Sequence, residues 1–238
     1  RDLGAVVALA DAVWADSAFN AAEVAALGAR NVKVLPLVFS SGAFDVPADP
    51  VVRQGLSGPS KKILFVGRMA PNKCVEELIE AFAWYHKRIE RRSDLILVGS
   101  ERSCPRYFAM LRMFAAELDL TSVSFVRYAS PAGLVAYYEA ADLFATTSRH
   151  EGYCLPVVEA MYKGVPVLAR SVGGVPEAMD GAGATFDEAS PQELACLMQR
   201  MLSDSGLRGE VLASQQARIR RLRDRPVRQE FEALLSAL

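Results

Sequence analysis

From residue 62 onward, short and continuous apolar runs alternate with longer segments whose apolar residues recur at helical spacing. The apolar runs are KILFVG (62–67), DLILVG (94–99), SVSFV (122–126), DLFATTS (142–148), VPVLA (165–169) and GATF (183–186). Runs of this length are typical of strands that are buried on both faces of a sheet. The segments between them predict helices over residues 75–90, 104–118, 131–140 and 155–163. This alternation predicts an α/β fold built on a Rossmann-like, doubly wound parallel sheet.

The N-terminal part has a different pattern. It predicts a helix, a short strand (AVWA), a second helix (SAFNAAEVAALG) with Ser17 as its N-cap, and a strand (VKVLPLV). We therefore predict four parts, which are the tail of a preceding domain (1–45), a linker rich in Gly, Pro, Ser and Asp (46–60), a Rossmann-like domain (61–225) and a C-terminal helix (226–238). Because the sequence begins with Arg1 rather than Met, we expect a piece of a longer protein.

Composition narrows the class of protein. Hydrophobic residues make up 51% of the 238 residues and charged residues 23%, which is typical of a soluble globular protein. The formal net charge of −1 gives no overall field that would attract nucleic acid, and we predict no nucleic-acid partner. The four cysteines form no C-x-x-C pair, which favours reduced thiols in a cytoplasmic protein. His86 and His150 lack metal-ligand spacing, so no bound metal is predicted.

Ligands of doubly wound sheets bind outside the carboxyl ends of the strands, and the first predicted strand ends in the loop VGRMAPNK. Gly67 permits a tight exit from the strand, while Arg68 and Lys73 can converge on the space above the sheet. Two cations at a strand end suit a diphosphate, since an arginine fork matches two phosphate oxygens. The loop matches neither glycine-rich nucleotide motif, G-x-G-x-x-G or G-x-x-x-x-G-K-[ST]. A solvated basic loop is the alternative interpretation.

The segment SRHEGYCLPVVEAM carries a second candidate site. Gly152 lets the backbone approach a ligand, and a helix is predicted to begin at Leu155 or Pro156. The N–H groups of residues 152–155, Tyr153 and Cys154 among them, would then point at an anion together with the positive end of the helix. Glu151 could accept hydrogen bonds from sugar hydroxyls, and Glu159 could hold the two hydroxyls of a ribose. The alternatives are a surface acid for Glu151 and an acid that complements the helix dipole for Glu159.

Three further features have open interpretations. Cys154 lies at the predicted helix N-terminus, where a thiol pKa tends to fall, so it would react faster than the other cysteines unless it is simply a small residue that fits. Gly173 and Gly174 form another flexible loop near the same crevice.

Between Arg208 and Arg228 there are seven arginines against Glu210 and Asp224. Such a basic helical segment can lie on anionic lipid, and otherwise it is a solvated face.

Together these loops resemble the glycosyltransferases of family 4, which are retaining enzymes that use nucleotide sugars and have two facing Rossmann-like domains (the GT-B fold). The matching segments cover nearly all of residues 32–186 in the family's order, and they include ILFVGRMAPNKCVEELIEAF and the segment from SVSFV to GGVPEAM, whose two glutamates have seven residues between them. The resemblance implies that residues 61–225 are the donor-binding C-terminal domain of that fold and that residues 1–45 are a remnant of the N-terminal, acceptor-side domain.

The resemblance also implies roles for single residues. Arg68 and Lys73 would grip the donor diphosphate, Glu151 would meet the donor sugar, the backbone of residues 152–155 would lie beside it, and Glu159 would hold the ribose. It implies hexosyl transfer with retention, without a metal or another cofactor, to a glycan or lipid-linked acceptor in polysaccharide biosynthesis. The location implied is cytoplasmic, at the inner face of the membrane if the basic segment 208–228 binds lipid.

The chain departs from the family pattern at three places. Cys74 stands where a glycine is common, which fits a subgroup. Arg127 stands where the loop after the third strand often has glycine, near the expected position of the base. The acceptor-side domain is nearly absent, so we expect the isolated chain to bind donor but scarcely to catalyse transfer. The alternatives are a sugar-nucleotide epimerase or hydrolase of the same architecture and a non-catalytic nucleotide-binding domain.

Overall fold

The computed structural model describes residues 3–35 and 37–236. The N-terminal unit consists of α1 (Leu3–Ala8), β1 (Val13–Ala15), α2 (Ala18–Ala26) and β2 (Val32–Val34), and its two strands pair in parallel. The Ser17 hydroxyl accepts a hydrogen bond from the N–H of Asn20 at 3.0 Å, so the predicted N-cap of α2 is confirmed. The second strand is shorter than predicted, and Pro36 of its predicted range lies outside the described residues.

The main sheet has six parallel strands, and each predicted strand is confirmed within a few residues. They are β3 (Lys61–Val66), β4 (Ser93–Val98), β5 (Val123–Val126), β6 (Leu143–Thr146), β7 (Val167–Arg170) and β8 (Ala184–Phe186). The helices of the chain from residue 50 onward are α3 (Pro50–Gly55), α4 (Val75–Arg88), α5 (Pro105–Glu117), α6 (Pro131–Ala140), α7 (Leu155–Tyr162), α8 (Val175–Met179), α9 (Pro191–Ser203), α10 (Ser205–Arg223) and α11 (Val227–Ser236).

Helices cover both faces of the sheet, as the continuous apolar strands require. Alternate residues of one strand enter different cores, as Ile63 and Leu64 of β3 show. Ile63 packs in a cluster with apolar residues of α4, α5 and α9, whereas Leu64 packs with residues of α6 and α7. The prediction of strands buried on both faces is confirmed for β3, β4, β6 and β7, whereas β5 and β8, at the two edges of the sheet, are only partly buried. The doubly wound α/β fold is confirmed.

The strand order β5-β4-β3-β6-β7-β8 locates the ligand crevice. Consecutive strands proceed outward in one direction from β3 to β5, and the chain then returns to place β6 on the other side of β3. The order of the strands therefore reverses between β3 and β6. Ligands of open parallel sheets bind outside the carboxyl ends of the strands at such a reversal. The loops after β3 and β6, which carry the predicted site residues, therefore flank this position.

The stretch predicted as a linker contains a short helix. Asp49 caps α3 by accepting hydrogen bonds from the N–H groups of Val51 and Val52, and Pro50 occupies the first turn. The N–H of Asp49 donates to the carbonyl of Ala132 at 2.9 Å, which holds this segment against α6. The predicted C-terminal helix is present as α11, and the last two residues of its predicted range, 237 and 238, lie outside the described residues.

The arginine-rich segment 208–228 is largely occupied by contacts within the chain. Five of its seven arginines bind carboxylate or carbonyl oxygens, and they are Arg208, Arg218, Arg221, Arg225 and Arg228. These contacts reduce the cationic surface that the segment offers to lipid. In residues 3–35 and 37–236, none of the helices has the length and apolarity that crossing a bilayer requires.

Candidate functional site

The two loops at the strand reversal are joined by an ion pair. Lys73, in the loop after β3, places its Nζ 2.7 Å from Oε2 of Glu151, in the loop after β6. The two side chains are only 13% and 9% exposed, so the pair is nearly buried. The backbone joins the same loops, since the N–H of Arg149 donates to the carbonyl of Asn72 at 2.9 Å. The structure therefore brings two of the predicted site residues into direct contact.

Both loops enter their helices through a cysteine in the left-handed backbone region. Cys74 (φ 46°) precedes α4, and Cys154 (φ 67°) precedes α7. Residues other than glycine are uncommon there, and such strain is concentrated at functional sites. The glycine common at position 74 in the resembled family would adopt this φ without strain.

The loop before α7 carries the backbone N–H groups that the sequence predicts to bind an anion. Within the described part of the chain, the N–H groups of Gly152, Tyr153 and Cys154 donate to no acceptor. The loop packs against Gly173 and Gly174. A Cβ atom on Gly173 would lie 2.2 Å from the carbonyl oxygen of Glu151, and one on Gly174 would lie 1.8 Å from that of Gly152. These two glycines therefore permit close packing of the loops.

Arg68 carries a positive charge that no described residue compensates. Its side chain is exposed and makes no hydrogen bond or ion pair with any residue the structure describes. Lys73 and Glu151 cancel each other's charge, whereas the guanidinium of Arg68 is free to meet an incoming anion. Gly67 lies beside Gly99 of the next strand end, where a Cβ atom on Gly99 would lie 1.7 Å from the Gly67 carbonyl oxygen. This contact fixes the backbone from which Arg68 extends.

Glu159 lies in α7 beside a buried tyrosine of α6. The hydroxyl of Tyr138 donates to Oε2 of Glu159 at 2.7 Å, and the tyrosine is fully buried. Burial raises the pKa of Glu159 above its usual value, and the hydrogen bond from Tyr138 opposes that shift. The other carboxylate oxygen has no partner among the described residues. One oxygen thus anchors the side chain, and the other can accept a hydroxyl.

We expect Glu159→Gln to stabilise the fold at neutral pH while it weakens ribose binding. The pKa of Glu159 is raised in the folded state, so its favourable contribution to stability is present below the unfolded pKa and is lost as pH rises through the folded pKa. Glutamine keeps the acceptor for Tyr138 without that loss. Urea unfolding should show a stability gain at pH 7 that shrinks towards about pH 4.

The same variant should reduce affinity for a nucleoside diphosphate about tenfold or more, because hydrogen bonds to a charged group are the stronger ones. The exposed Glu117 provides the control Glu117→Gln, which should change neither quantity. A Glu159→Gln protein that is less stable at pH 7, with unchanged nucleotide affinity, would contradict both expectations.

The predicted lowering of the Cys154 pKa is wrong. The side chain is buried, and burial, followed by the negative charge of Glu151, raises the pKa of the thiol well above its usual value. The helix N-terminus cannot offset this loss of hydration. Among the four cysteines Cys196 is the exposed one, and we expect it to be alkylated first. Tyr153 is likewise 3% exposed and contacts Arg218 with its hydroxyl, so only its backbone faces the crevice.

Sequence analysis missed the buried Arg170 at the carboxyl end of β7. Its side chain is 4% exposed and forms ion pairs with Glu77 of α4 and with Glu188, the latter at 2.8 Å. Its Nε also donates to the carbonyl of Thr147 at 3.2 Å, which fixes the start of the loop that carries Glu151. A charged residue directly at the end of an apolar strand is the signal that could have identified it.

The N-terminal unit contacts the loop before α7. Nδ2 of Asn20 lies close to Gly152, since a Cβ atom on Gly152 would be 2.6 Å from this nitrogen. Nε2 of His150 lies 3.0 Å from Oε1 of Glu23, and its ring packs edge-on against Phe19 at 5.5 Å. His150, which carried no role in the sequence analysis, thus links this loop to α2.

The carboxyl ends of β4 and β5 carry an ion pair of their own. Arg127, after β5, binds the carboxylate of Glu101, after β4, and this interaction lowers the pKa of Glu101 below its usual value. The predicted site residues at the strand reversal are farther along the same sheet edge. In the described ranges no group of three or more His, Cys, Asp or Glu side chains is arranged to hold a metal ion.

A known protein family matches the part of the chain that carries the candidate site residues. The family model described as "Glycosyl transferases group 1" matches residues 52–218. A D-inositol 3-phosphate glycosyltransferase of Corynebacterium jeikeium is 31% identical over 159 residues, which are 65% of this chain and 38% of that protein. The serotype-specific mannosyltransferase WbdA of Escherichia coli is 26% identical over 157 residues, which are 65% of this chain and 19% of that protein. The chain therefore spans well under half the length of these relatives.

Solved structures share the fold. HepE of Anabaena, crystallised with UDP and glucose, superimposes with a TM-score of 0.82 at 24% identity over 99% of this chain and 67% of that chain. The C-terminal domain of a group 1 glycosyl transferase (LpcC) of Francisella tularensis gives a TM-score of 0.63 at 24% identity, over 76% of this chain and 96% of that domain. The family match confirms the resemblance at the level of glycosyltransferases, and the chain belongs to the group 1 glycosyl transferases.

Proposed function

We propose that this chain is the donor-binding part of a family 4 glycosyltransferase that moves a hexosyl group from a nucleoside-diphosphate sugar to a glycan or lipid-linked acceptor with retention. The observation that carries the proposal is the ion pair between Lys73 and Glu151 across the strand reversal, with 2.7 Å between Nζ and Oε2. The unpaired guanidinium of Arg68 and the free N–H groups of residues 152–154 lie on the loops that flank the same crevice. The structures of HepE with UDP and with UDP-glucose support a nucleotide-sugar donor.

The donor diphosphate would be held by three sources of hydrogen-bond donors. Arg68 has no competing carboxylate among the described residues, and Lys73 uses one of its donors on Glu151 and keeps the others. The third source is the loop before α7, where the free N–H groups and the positive helix end meet. Charge builds on the departing nucleoside diphosphate as the glycosidic bond breaks. Preorganised donors aimed at such charge contribute roughly 10²–10³ each in rate.

Glu151 and Glu159 would hold the two sugars of the donor. Glu159 has one carboxylate oxygen on Tyr138 and can accept ribose hydroxyls with the other. Glu151 is fixed by Lys73, and we assign its remaining oxygen to a hydroxyl of the transferred sugar. The acceptor would enter from the side of α2, because Asn20 and Glu23 lie against the loop that carries Glu151. Efficient transfer would require the acceptor-side domain in addition to this chain.

Calorimetric titration with GDP, UDP, ADP and dTDP tests the proposal. We expect one of them to bind selectively and Arg68→Ala to weaken that binding about tenfold or more, since a charged hydrogen-bonding partner is removed. Arg112→Ala is the matched control because Arg112 is an exposed arginine of α5, outside the crevice. Binding of none of the four, or equal losses in the two variants, would contradict a donor site at Arg68. Selective binding without transfer by a longer form that includes the acceptor-side domain would instead favour a non-catalytic nucleotide-binding domain.

A further inference from the structure

The edge of the sheet opposite the crevice carries a second cationic surface. Helix α4 runs from the carboxyl edge back to the amino edge, where the N–H of Lys61 donates to the carbonyl of Arg92 at 2.8 Å. The last turn of α4 and the following turn expose the basic surface, which we define as Trp84, Lys87, Arg88, Ile89 and Arg91. It lies at the far end of the strands from Arg68.

These side chains are contiguous. Trp84, Lys87 and Arg88 line one hollow with Leu118, and Lys87, Arg88 and Arg91 line the adjacent one of about 400 Å³. The Arg88 guanidinium lies 5.9 Å from the centre of the Trp84 ring, which keeps the cation beside the indole. Glu80 and Asp119 are the acids that line these hollows, so the surface keeps a positive excess.

Apolar and cationic groups alternate on this surface. Trp84 is 39% exposed and lines a hollow with Lys87 and Arg88, and Ile89, which follows Arg88 in the chain, is 41% exposed. The Arg88 guanidinium stacks on Trp84. Within residues 3–35 and 37–236 there is no ion-pair partner for Lys87, Arg88 or Arg91. Basic residues in the last turn complement the helix dipole. That effect accounts for Lys87 and Arg88, but it gives no reason for an exposed indole and an exposed isoleucine beside them.

We propose that the basic surface docks the protein on an anionic lipid surface. Cations contribute through the negative headgroups, and tryptophan favours the boundary between headgroups and acyl chains. An acidic polymer would use the cations but would leave Trp84 and Ile89 in water. This docking is independent of the donor site and differs from contact through the segment 208–228, where most arginines bind acceptors within the chain.

Sedimentation with vesicles of phosphatidylglycerol and phosphatidylcholine tests the assignment. We expect binding to the mixed vesicles, loss of binding as salt is raised, and no binding to phosphatidylcholine alone. Each cation near an anionic membrane contributes roughly fivefold in partitioning, so Lys87→Gln/Arg91→Gln should weaken binding about 25-fold. Trp84→Ala alone should also weaken binding to the vesicles, and it should leave the affinity for nucleoside diphosphate unchanged.

The matched control is Arg220→Gln/Arg223→Gln, which removes the same charge from two exposed arginines of α10 that have no ion-pair partner among the described residues. The control should bind vesicles within about twofold of the parent protein, because its arginines lie outside the basic surface. Equal losses in the two double variants would overturn the assignment of the surface. Binding to dextran sulfate with none to the vesicles would overturn the lipid as its partner.

Discussion

Lys73→Met is expected to remove most of the affinity for nucleoside diphosphate and to lower the free energy of unfolding by about 3–5 kcal/mol. The stability loss arises because Glu151, 9% exposed, would keep its charge without the ammonium group 2.7 Å away. The affinity loss arises because Lys73 is one of the two predicted cations for the diphosphate. Urea unfolding and calorimetry measure the two effects separately.

A double variant separates the two roles of Lys73. Lys73→Met/Glu151→Gln removes the stranded carboxylate charge, so it should regain at least half of the lost stability. It should not regain nucleotide affinity, because the cation that meets the diphosphate is still missing. If the double variant binds nucleotide as the parent protein does, Lys73 acts only by neutralising Glu151. If the single variant keeps full affinity, Lys73 is not part of the donor site.

Arg170→Met is expected to lower the free energy of unfolding by about 1–3 kcal/mol, because two carbonyl oxygens and two partly exposed carboxylates lose the buried cation that binds them. Arg170 is 4% exposed and binds Glu77, Glu188 and the carbonyl oxygens of Thr147 and Asp187. Methionine fills part of the space but satisfies none of these oxygens. Nucleotide affinity should fall as well, because Thr147 begins the loop that carries Glu151.

Arg149→Met is the matched control for Arg170. Arg149 binds the same two carboxylates, Glu77 and Glu188, but it is 52% exposed. Exposed ion pairs contribute roughly 0–1 kcal/mol, so this variant should lose no more than that in urea unfolding. Similar losses in the two variants would show that the network stabilises through its surface members rather than through the buried arginine.

The sheet could be predicted from the sequence because its four central strands are buried on both faces. Runs such as DLILVG leave no polar face that would suggest an alternative, and tight loops at Gly67 and Gly99 bound them. Helix α3 was missed although its signal was present, since Asp49 and Pro50 are a favoured N-cap and first-turn pair. The surrounding Gly, Pro and Ser residues indicated a linker more strongly than this short cap indicated a helix.

The residues of the candidate site could be predicted from the sequence, but the contacts between them could not. Each strand end identified a loop, but the meeting of Lys73 with Glu151 depends on β6 lying beside β3, and these strands are not consecutive in the chain. The Cys154 prediction failed for a related reason. The helix N-terminus is visible in the sequence, whereas burial of the thiol arises from packing between distant segments and reverses the direction of the pKa shift.

The most direct test of the donor site is a map of backbone amide chemical shifts during titration with the nucleoside diphosphate that binds. We predict that the largest changes occur at Gly152, Tyr153 and Cys154, whose N–H groups are free, and at Arg68 in the facing loop. Leu118, beside the basic surface, should be unaffected. Changes concentrated at the opposite edge of the sheet, with residues 152–154 unmoved, would contradict a diphosphate site at the strand reversal.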